Sequence, residues 1–374
     1  MKANVEYFNL EFFKKKRIFI TGHTGFKGSW LSLWLASLGS EITGYSLAPP
    51  EGMSLFKLAN VETLLKKSIF ADILDVDSLT KAVKVVKPEI IIHMAAQPLV
   101  RESYESPVKT YATNVMGTVN ILDAARSIEN LKVVLNITTD KVYENQEWEW
   151  PYRENEPLGG YDPYSSSKAC SELVTLSYRK SFFQVKHGNQ QGVSVATARA
   201  GNVIGGGDFA TDRLIPDIVR STIQGKTIQV RNPDSIRPWQ HVLDPLYGYM
   251  MLIHKLYVDG DSFSESWNFG PYDKESKTVF EIISKFEQIC KSKNLKGPKV
   301  VVKSNEKEPH EAKTLKLDIS KSVSRLGWKP RWSTDDALEK IVDWMKAYNE
   351  KENIREICLK QIEEYRKFEN SYDK

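Results

Sequence analysis

The sequence predicts an α/β protein: a doubly wound parallel sheet of the Rossmann type, followed by a smaller, interleaved C-terminal domain. Three observations carry this expectation. Compact apolar segments alternate with helix-prone ones through the first 200 residues. Gly22, Gly25 and Gly28 fall between the first apolar segment and the first helix-prone one. After Gly201 the alternation degrades, as a differently built second unit would require.

The elements follow in order. Residues 18–20 form a strand, and the basic run 14–17 before them is its solvated approach. Residues 29–38 read as a helix, with Trp30, Leu31, Leu33 and Trp34 apolar and Gly39 at the C-cap position. Residues 41–47 are a second strand. A helix over 77–86, a strand over 89–93, a long helix over 107–126 and a strand over 132–138 come next. Residues 163–179 are helical and 193–200 extended. Beyond them lie a glycine loop at 205–208, a helix over 215–225, a short strand over 227–231 and a helix over 244–257. Residues 266–270 read as a strand returning to the first sheet. The expected division is a dinucleotide-binding unit over 1–200, a substrate unit over 201–350 and a charged helical tail over 351–374.

Composition narrows the class. The chain has 374 residues, 41% hydrophobic and 27% charged, which excludes a disordered or fibrous protein. A net charge of +4 is too small and too evenly spread to indicate nucleic acid. Cys170, Cys290 and Cys358 are far apart, which suggests a reducing compartment and no zinc site. No apolar run has the length of a membrane span, and residues 1–13 lack a signal-peptide layout. The expectation is a soluble cytoplasmic protein.

The glycines are spaced G-x-x-G-x-x-G. In a strand–turn–helix setting they let the backbone approach a pyrophosphate, which the amides of the helix N-terminus then meet. The second strand ends in Tyr45-Ser46-Leu47, with neither an acid for a ribose hydroxyl nor an arginine for a 2′-phosphate. Those residues leave NAD and NADP open. Lys27 could meet a 2′-phosphate, but a solvated lysine is the plainer reading.

Tyr164 and Lys168 stand four apart at the start of a helix and share one face. An ammonium beside a phenol favours the phenolate and draws its pKa down from about 10, giving a usable base. The pair follows the glycine loop by about 140 residues and comes just after the segment Thr138-Thr139-Asp140-Lys141. That order is what makes a common dipeptide spacing informative.

With these residues in place the chain resembles the extended short-chain dehydrogenase/reductase family, in its nucleotide-sugar-modifying branch. The likeness covers residues 16–348 and includes Asp72-Ile73, Ala95-Ala96 and Asn114. Longer strings resemble the CDP-glucose type of 4,6-dehydratase. They are 22–31, 93–101, 138–145 and 158–164, with His310-Glu311-Ala312 and Leu326-Gly327-Trp328.

The resemblance implies an enzyme, a carbon–oxygen lyase with tightly held NAD. Gly22, Thr24, Gly25, Phe26, Lys27 and Gly28 would hold the cofactor. Asp72, Ile73, Ala95, Ala96, Gln97 and Asn114 would line its site, and Tyr164 and Lys168 would touch it. Tyr164 would take the sugar 4-hydroxyl proton as the C4 hydride leaves, Lys168 would tune Tyr164, and Thr139 would hydrogen-bond the 4-oxygen. Asp140 would protonate the departing C6 hydroxyl. Lys141 would remove the C5 proton, where relatives acting on dTDP-glucose or GDP-mannose carry Glu. Burial and nearby cations would depress its pKa and Asp140 would raise it.

The resemblance also implies a nucleotide-sugar substrate. Asn202 would contact its phosphates and Arg237 would clamp them, with Arg231 sharing that work. Gln97, Arg101 and Asp212 are further substrate-loop candidates. His93, His241 and His310 lack ligand spacing and read as packing residues, so no metal is expected. Trp148 and Trp150 would either stack on a base or cover the loop. A homodimer is expected through the helices carrying Asn114 and Tyr164, and a place in deoxysugar synthesis for lipopolysaccharide or another glycan. The competing readings are a dehydratase for another nucleotide sugar, a 4-epimerase, and a non-catalytic NAD sensor. An epimerase has no need of Asp140-Lys141, and a sensor has no need of Thr139, Tyr164 and Lys168.

Overall fold

The computed structural model describes residues 8–184, 192–230, 232–302 and 314–368. The chain first builds β1 (Arg17–Thr21), α1 (Phe26–Ser37), β2 (Glu41–Ser46), α2 (Leu55–Leu58), β3 (Lys67–Phe70), α3 (Val76–Val86) and β4 (Ile90–His93). It continues through α4 (Val100–Glu105), α5 (Pro107–Tyr111), α6 (Gly117–Ala125), β5 (Val133–Ile137), α7 (Pro163–Tyr178) and β6 (Ser194–Ala200). The second half holds β7 (Asn202–Ile204), α8 (Leu214–Gln224), β8 (Thr227–Val230), β9 (Ile236–His241), α9 (Leu243–Asp259) and β10 (Ser266–Phe269). It ends with β11 (Ser276–Thr278), α10 (Val279–Ser292), β12 (Lys299–Val302), α11 (Thr334–Asn349) and α12 (Ile354–Lys367).

Seven strands form one sheet in the order β10-β6-β5-β4-β1-β2-β3, and every pairing in it is parallel. This is the doubly wound sheet the sequence predicts. The near-continuous apolar strands have a physical reason. Ile18, Ile20, Ile90, Ile92, Val133 and Leu135 face one core, while Phe19, Ile91 and Val134 face another. Both faces are covered, so every position is buried. Chain order reverses at β1, which pairs with both β2 and β4. Ligands of such sheets bind beyond the strand C-termini at that reversal.

α1 begins at Phe26, three residues before the expected start, with Gly25 as its N-cap. It is buried nearly all round because α12 packs on its outer side. Ile354, Cys358, Ile362 and Tyr365 of α12 share a core with Trp30 and Trp34 of α1. The segment expected as a charged tail therefore keeps its charges on one face and docks with the other. Residues 369–374 lie outside the described residues.

The long helix expected over 107–126 is interrupted. Residues Ala112–Met116 make a π-helical turn between α5 and α6. Such turns re-aim side chains and recur at functional sites, and this one carries Asn114.

The two halves interleave. β10 joins the edge of the large sheet beside β6, as expected, and α9 packs on β5 and β6. The second unit has its own core, built from Ile215, Ile218, Trp239, Ile282, Phe286, Leu338 and Ile341. Two small sheets support it, β11-β9-β7 and β12-β8. Among the described residues no helix is long and apolar enough to cross a membrane.

Candidate active site

The glycine loop is closed by contacts that only glycine permits. Gly22 has φ +77°, and a Cβ there would lie 2.7 Å from the Ala95 amide nitrogen. A Cβ on Gly28 would lie 2.2 Å from the Gly22 carbonyl oxygen. β1, the loop and α1 therefore close up against the end of β4. α1 has no side-chain N-cap, so its first-turn amides are presented to an anion. This cradle fits a dinucleotide diphosphate. The Thr24 hydroxyl is engaged with Ser46 Oγ at 2.8 Å and the Leu47 carbonyl at 3.0 Å, closing the loop onto the end of β2.

The walls of the cradle come from neighbouring strand ends. Ala95 N donates to Thr21 Oγ1 at 3.1 Å, and Ala96 follows it in the same segment. Ile73 is buried, and a Cβ on Gly117 would lie 2.8 Å from its Cγ2. Asp72 Oδ1 accepts from Leu74 N at 2.9 Å. Asn114 Oδ1 accepts from Gln97 N at 2.8 Å, while its Nδ2 donates to Gln97 O and Ser167 Oγ. Asn114 thus joins the segment after β4 to α7. The Gln97 side chain donates to Leu99 O and Thr110 Oγ1 and accepts from Leu99 N. Both ends of its amide serve the loop.

At the centre, Thr139, Asp140, Tyr164 and Lys168 are all buried. Thr139 caps the 3-10 turn Asp140–Val142 and accepts from Lys141 N at 3.4 Å. Burial pushes the Tyr164 phenol above its ordinary value, opposed by a Thr139 hydrogen bond and the Arg213 charge. Lys168 lies four residues further along the same helix. Its Nζ donates to the Ile137 carbonyl at 2.9 Å, and burial pulls its pKa down to about 8. In the protein alone, desolvation outweighs ion pairing for both groups. Burial also raises the Asp140 carboxyl, against the charges of Lys141 and Arg237 and a Thr139 hydrogen bond. A carboxyl that holds its proton more firmly than usual is suited to act as a general acid.

Lys27 is not the solvated lysine expected. It is half-buried, and its Nζ donates to Tyr249 Oη of α9 at 3.3 Å. Burial, then the charges of Lys168 and Arg213, draw its amine to about 7, with Asp140 opposing. Tyr249 and Arg213 belong to the centre and were missed in the sequence. Tyr249 sits inside an apolar helix with nothing to distinguish it. Arg213 donates to Asp208 Oδ2 and Pro98 O. Its one signal is a guanidinium five residues beyond the glycine loop.

The substrate-side candidates are partly gathered. Asn202 opens β7 beside Trp239 of β9. Arg237 on β9 acts electrostatically on Asp140, and a Cβ on Gly201 would lie 3.1 Å from Asp140 Oδ2. The two sides of the cleft therefore meet at Asp140. Arg101 and Asp212 face each other across the cleft, Nη1 to Oδ1, at 3.7 Å. Arg231 and His310-Glu311-Ala312 lie outside the described residues. Trp148 stacks on Tyr152, which stacks on Tyr143, while Trp150 is exposed. His93 is engaged by Thr21 and Thr118, and His241 is packed between Trp30 and Trp332. Burial holds both rings at about 3, hence neutral. Among the described residues no cluster of potential ligands could hold a metal.

Comparison with known proteins agrees with this geometry. The GDP-mannose 4,6 dehydratase family model matches residues 19–341. A CDP-glucose 4,6-dehydratase from Salmonella typhimurium is 51% identical over 357 residues, covering 95% of this chain and 97% of that protein. A dTDP-glucose 4,6-dehydratase from Bacillus anthracis, solved in complex with NAD, superposes with a TM-score of 0.71 at 22% identity. It covers 90% of this chain and 99% of that one. A UDP-glucose 4-epimerase from Thermotoga maritima, solved with UDP-glucose, gives 0.73 at 21% identity over 88% and 99%. The last two share the fold. The match over most of the chain, with the glycine cradle beyond the C-terminal end of β1, means that the chain belongs to the GDP-mannose 4,6 dehydratase family.

Proposed function

We propose that this protein converts CDP-glucose and releases CDP-4-dehydro-6-deoxyglucose and water. One observation carries the reading: buried Asp140, its carboxyl raised by desolvation, stands with Lys141 just past Thr139 at the Tyr164 centre. An acid and a base beside an oxidation site are what an elimination needs and what a 4-epimerase lacks a use for. The 51% identity to a CDP-glucose 4,6-dehydratase supports the choice of nucleotide and sugar.

Bound NAD supplies an acceptor for the C4 hydride and a donor of that hydride to C6. Thr139 hydrogen-bonds the 4-oxygen and Tyr164 takes the 4-hydroxyl proton. The resulting ketone acidifies C5–H, and Lys141 removes that proton. Asp140 gives its proton to the C6 hydroxyl, which departs as water. Arg237 and Asn202 hold the diphosphate on the other side of the cleft.

We infer a homodimer as well. Val108, Met116 and Leu173 are exposed apolar residues on the α5–α6 and α7 surface, with Val115 and Leu176 half-exposed beside them. We place the enzyme in the cytoplasm, supplying a deoxysugar precursor for glycans such as lipopolysaccharide. Incubation with CDP-glucose and detection of a 4-keto-6-deoxy product tests the central claim. An epimerised product that keeps its C6 oxygen overturns it.

A further inference from the structure

Glu172 lies on α7 four residues beyond Lys168 and eight beyond Tyr164, on one helix face. It and Arg199 of β6 form an ion pair with side chains 2% and 3% exposed. Glu172 Oε1 accepts from Thr138 Oγ1 at 2.6 Å and Arg199 Nε at 2.9 Å. Oε2 accepts from Thr197 Oγ1 at 2.6 Å, Arg199 Nη2 at 3.0 Å and Ser266 Oγ at 3.1 Å. Arg199 Nη1 donates to Tyr143 Oη at 2.9 Å and to the Glu154 carbonyl. Thr138 precedes and Tyr143 follows the segment Thr139-Asp140-Lys141. One buried pair therefore holds both ends of that segment.

A buried ion pair is a poor source of stability, since apolar residues of equal volume commonly do as well. This one does something apolar residues cannot. We propose that Glu172 is a positioning residue for the reaction: it fastens the helix of Tyr164 and Lys168 to the segment of Thr139 and Asp140, and its charge keeps the Lys168 ammonium protonated. The other titratable groups facing Lys168 are Lys27 from α1 and neutral His93 from β4. Tyr164 and Asp140, at the same centre, are both raised by burial. Glu172, kept at about 2 against burial by Arg199 and its hydroxyl donors, is the anion that opposes desolvation of Lys168. The inference rests on the dehydratase reading for the reaction it serves.

The test is Glu172→Gln/Arg199→Met, which removes both charges and keeps the pocket filled. Lys168 is followed in the NAD-loaded protein by ε-carbon NMR titration, assigned with Lys168→Met. The double variant should titrate Lys168 at least one pH unit lower, and the alkaline fall in turnover should move down equally. A folded double variant with the wild-type midpoint overturns the electrostatic half. Glu172→Asp keeps the charge and should restore the midpoint. Thr138→Val cuts one strut and leaves the pair intact. It should lower kcat at least fivefold with KM and the Lys168 midpoint unchanged, and wild-type kcat overturns the fastening. If the double variant does not fold, Glu172→Asp and Thr138→Val decide: a Glu172→Asp midpoint displaced by a unit, or full turnover by Thr138→Val, rejects the proposal. The titration needs no substrate, so a wild type inert toward CDP-glucose fails the functional reading alone.

Discussion

The Thr139 hydroxyl donates to Asp140 Oδ1 at 3.0 Å, linking the group meant for the 4-oxygen to the group meant for the C6 hydroxyl. One side chain thereby orients both ends of the chemistry. Asp140→Asn keeps the volume but cannot deliver a proton. Dehydration should fall about 10²–10⁴-fold while C4 oxidation persists. Because burial raises the Asp140 pKa, wild-type elimination should decline as pH rises through that value. Single-turnover pH–rate profiles check this, and the decline should be absent from the Asn variant.

Tyr164→Phe retains the ring, which is nearly buried, and loses only the phenol oxygen. Oxidation at C4 should drop by about 10²–10⁴-fold, with NAD affinity close to wild type. Rapid-quench measurement of the 4-keto sugar, alongside calorimetric titration with NAD, separates the two.

Lys141→Ala should stop after C4 oxidation and leave a 4-keto hexose that still has its C6 hydroxyl. In heavy water the wild-type product should carry deuterium at C5, and the sugar recovered from the variant should not. Mass spectrometry reads both outcomes. A variant that makes the 4-keto-6-deoxy sugar at the normal rate would remove Lys141 from the mechanism.

Asp244 sits under α12, fully buried, where Oδ1 accepts from Tyr365 Oη and Arg331 N, while Oδ2 has no hydrogen-bond partner among the described residues. Burial pushes its carboxyl up to about 7, against those donors and the Arg331 charge. A folded pKa above the unfolded one stabilises most below about pH 4, and the contribution is lost as pH rises through about 7. The wild-type Tm should therefore fall between pH 6 and 8 by roughly the equivalent of 1 kcal/mol. Asp244→Asn should flatten that fall, which differential scanning calorimetry across the pH range will show.

Leu173 is 53% exposed on α7. Leu173→Arg should place a charge in the proposed dimer seam and convert the particle to a monomer, with light scattering as the measure.

The large sheet was legible because covering a parallel strand on both faces favours apolar residues on both, and β1, β4 and β5 are apolar nearly throughout. α1 was legible as a helix, but its all-round burial was not, because the cover comes from α12, more than 300 residues away in sequence. The π-turn at Asn114 left no trace, since an extra residue in a helix changes no composition. Tyr164, Lys168 and the glycines could be found by spacing. Glu172, Arg199, Tyr249 and Arg213 could not, because each acquires its partner only when distant segments meet. Spacing places Lys168 beside Tyr164, but it reports only neighbourhood, whereas burial depends on everything else that packs around the pair.

The seat of α12 on α1 sets an order for making the protein. A ribosome that has released residues through 270 has supplied all seven strands of the large sheet. The face of the phosphate-loop helix that α12 covers would still be open to water, because Ile354, Cys358, Ile362 and Tyr365 remain untranslated. The nascent chain thus carries an apolar face beside its ligand cradle until α12 has been made. A chain that stops before α12 is therefore not a slightly shorter enzyme but one with an apolar face that completion would have hidden.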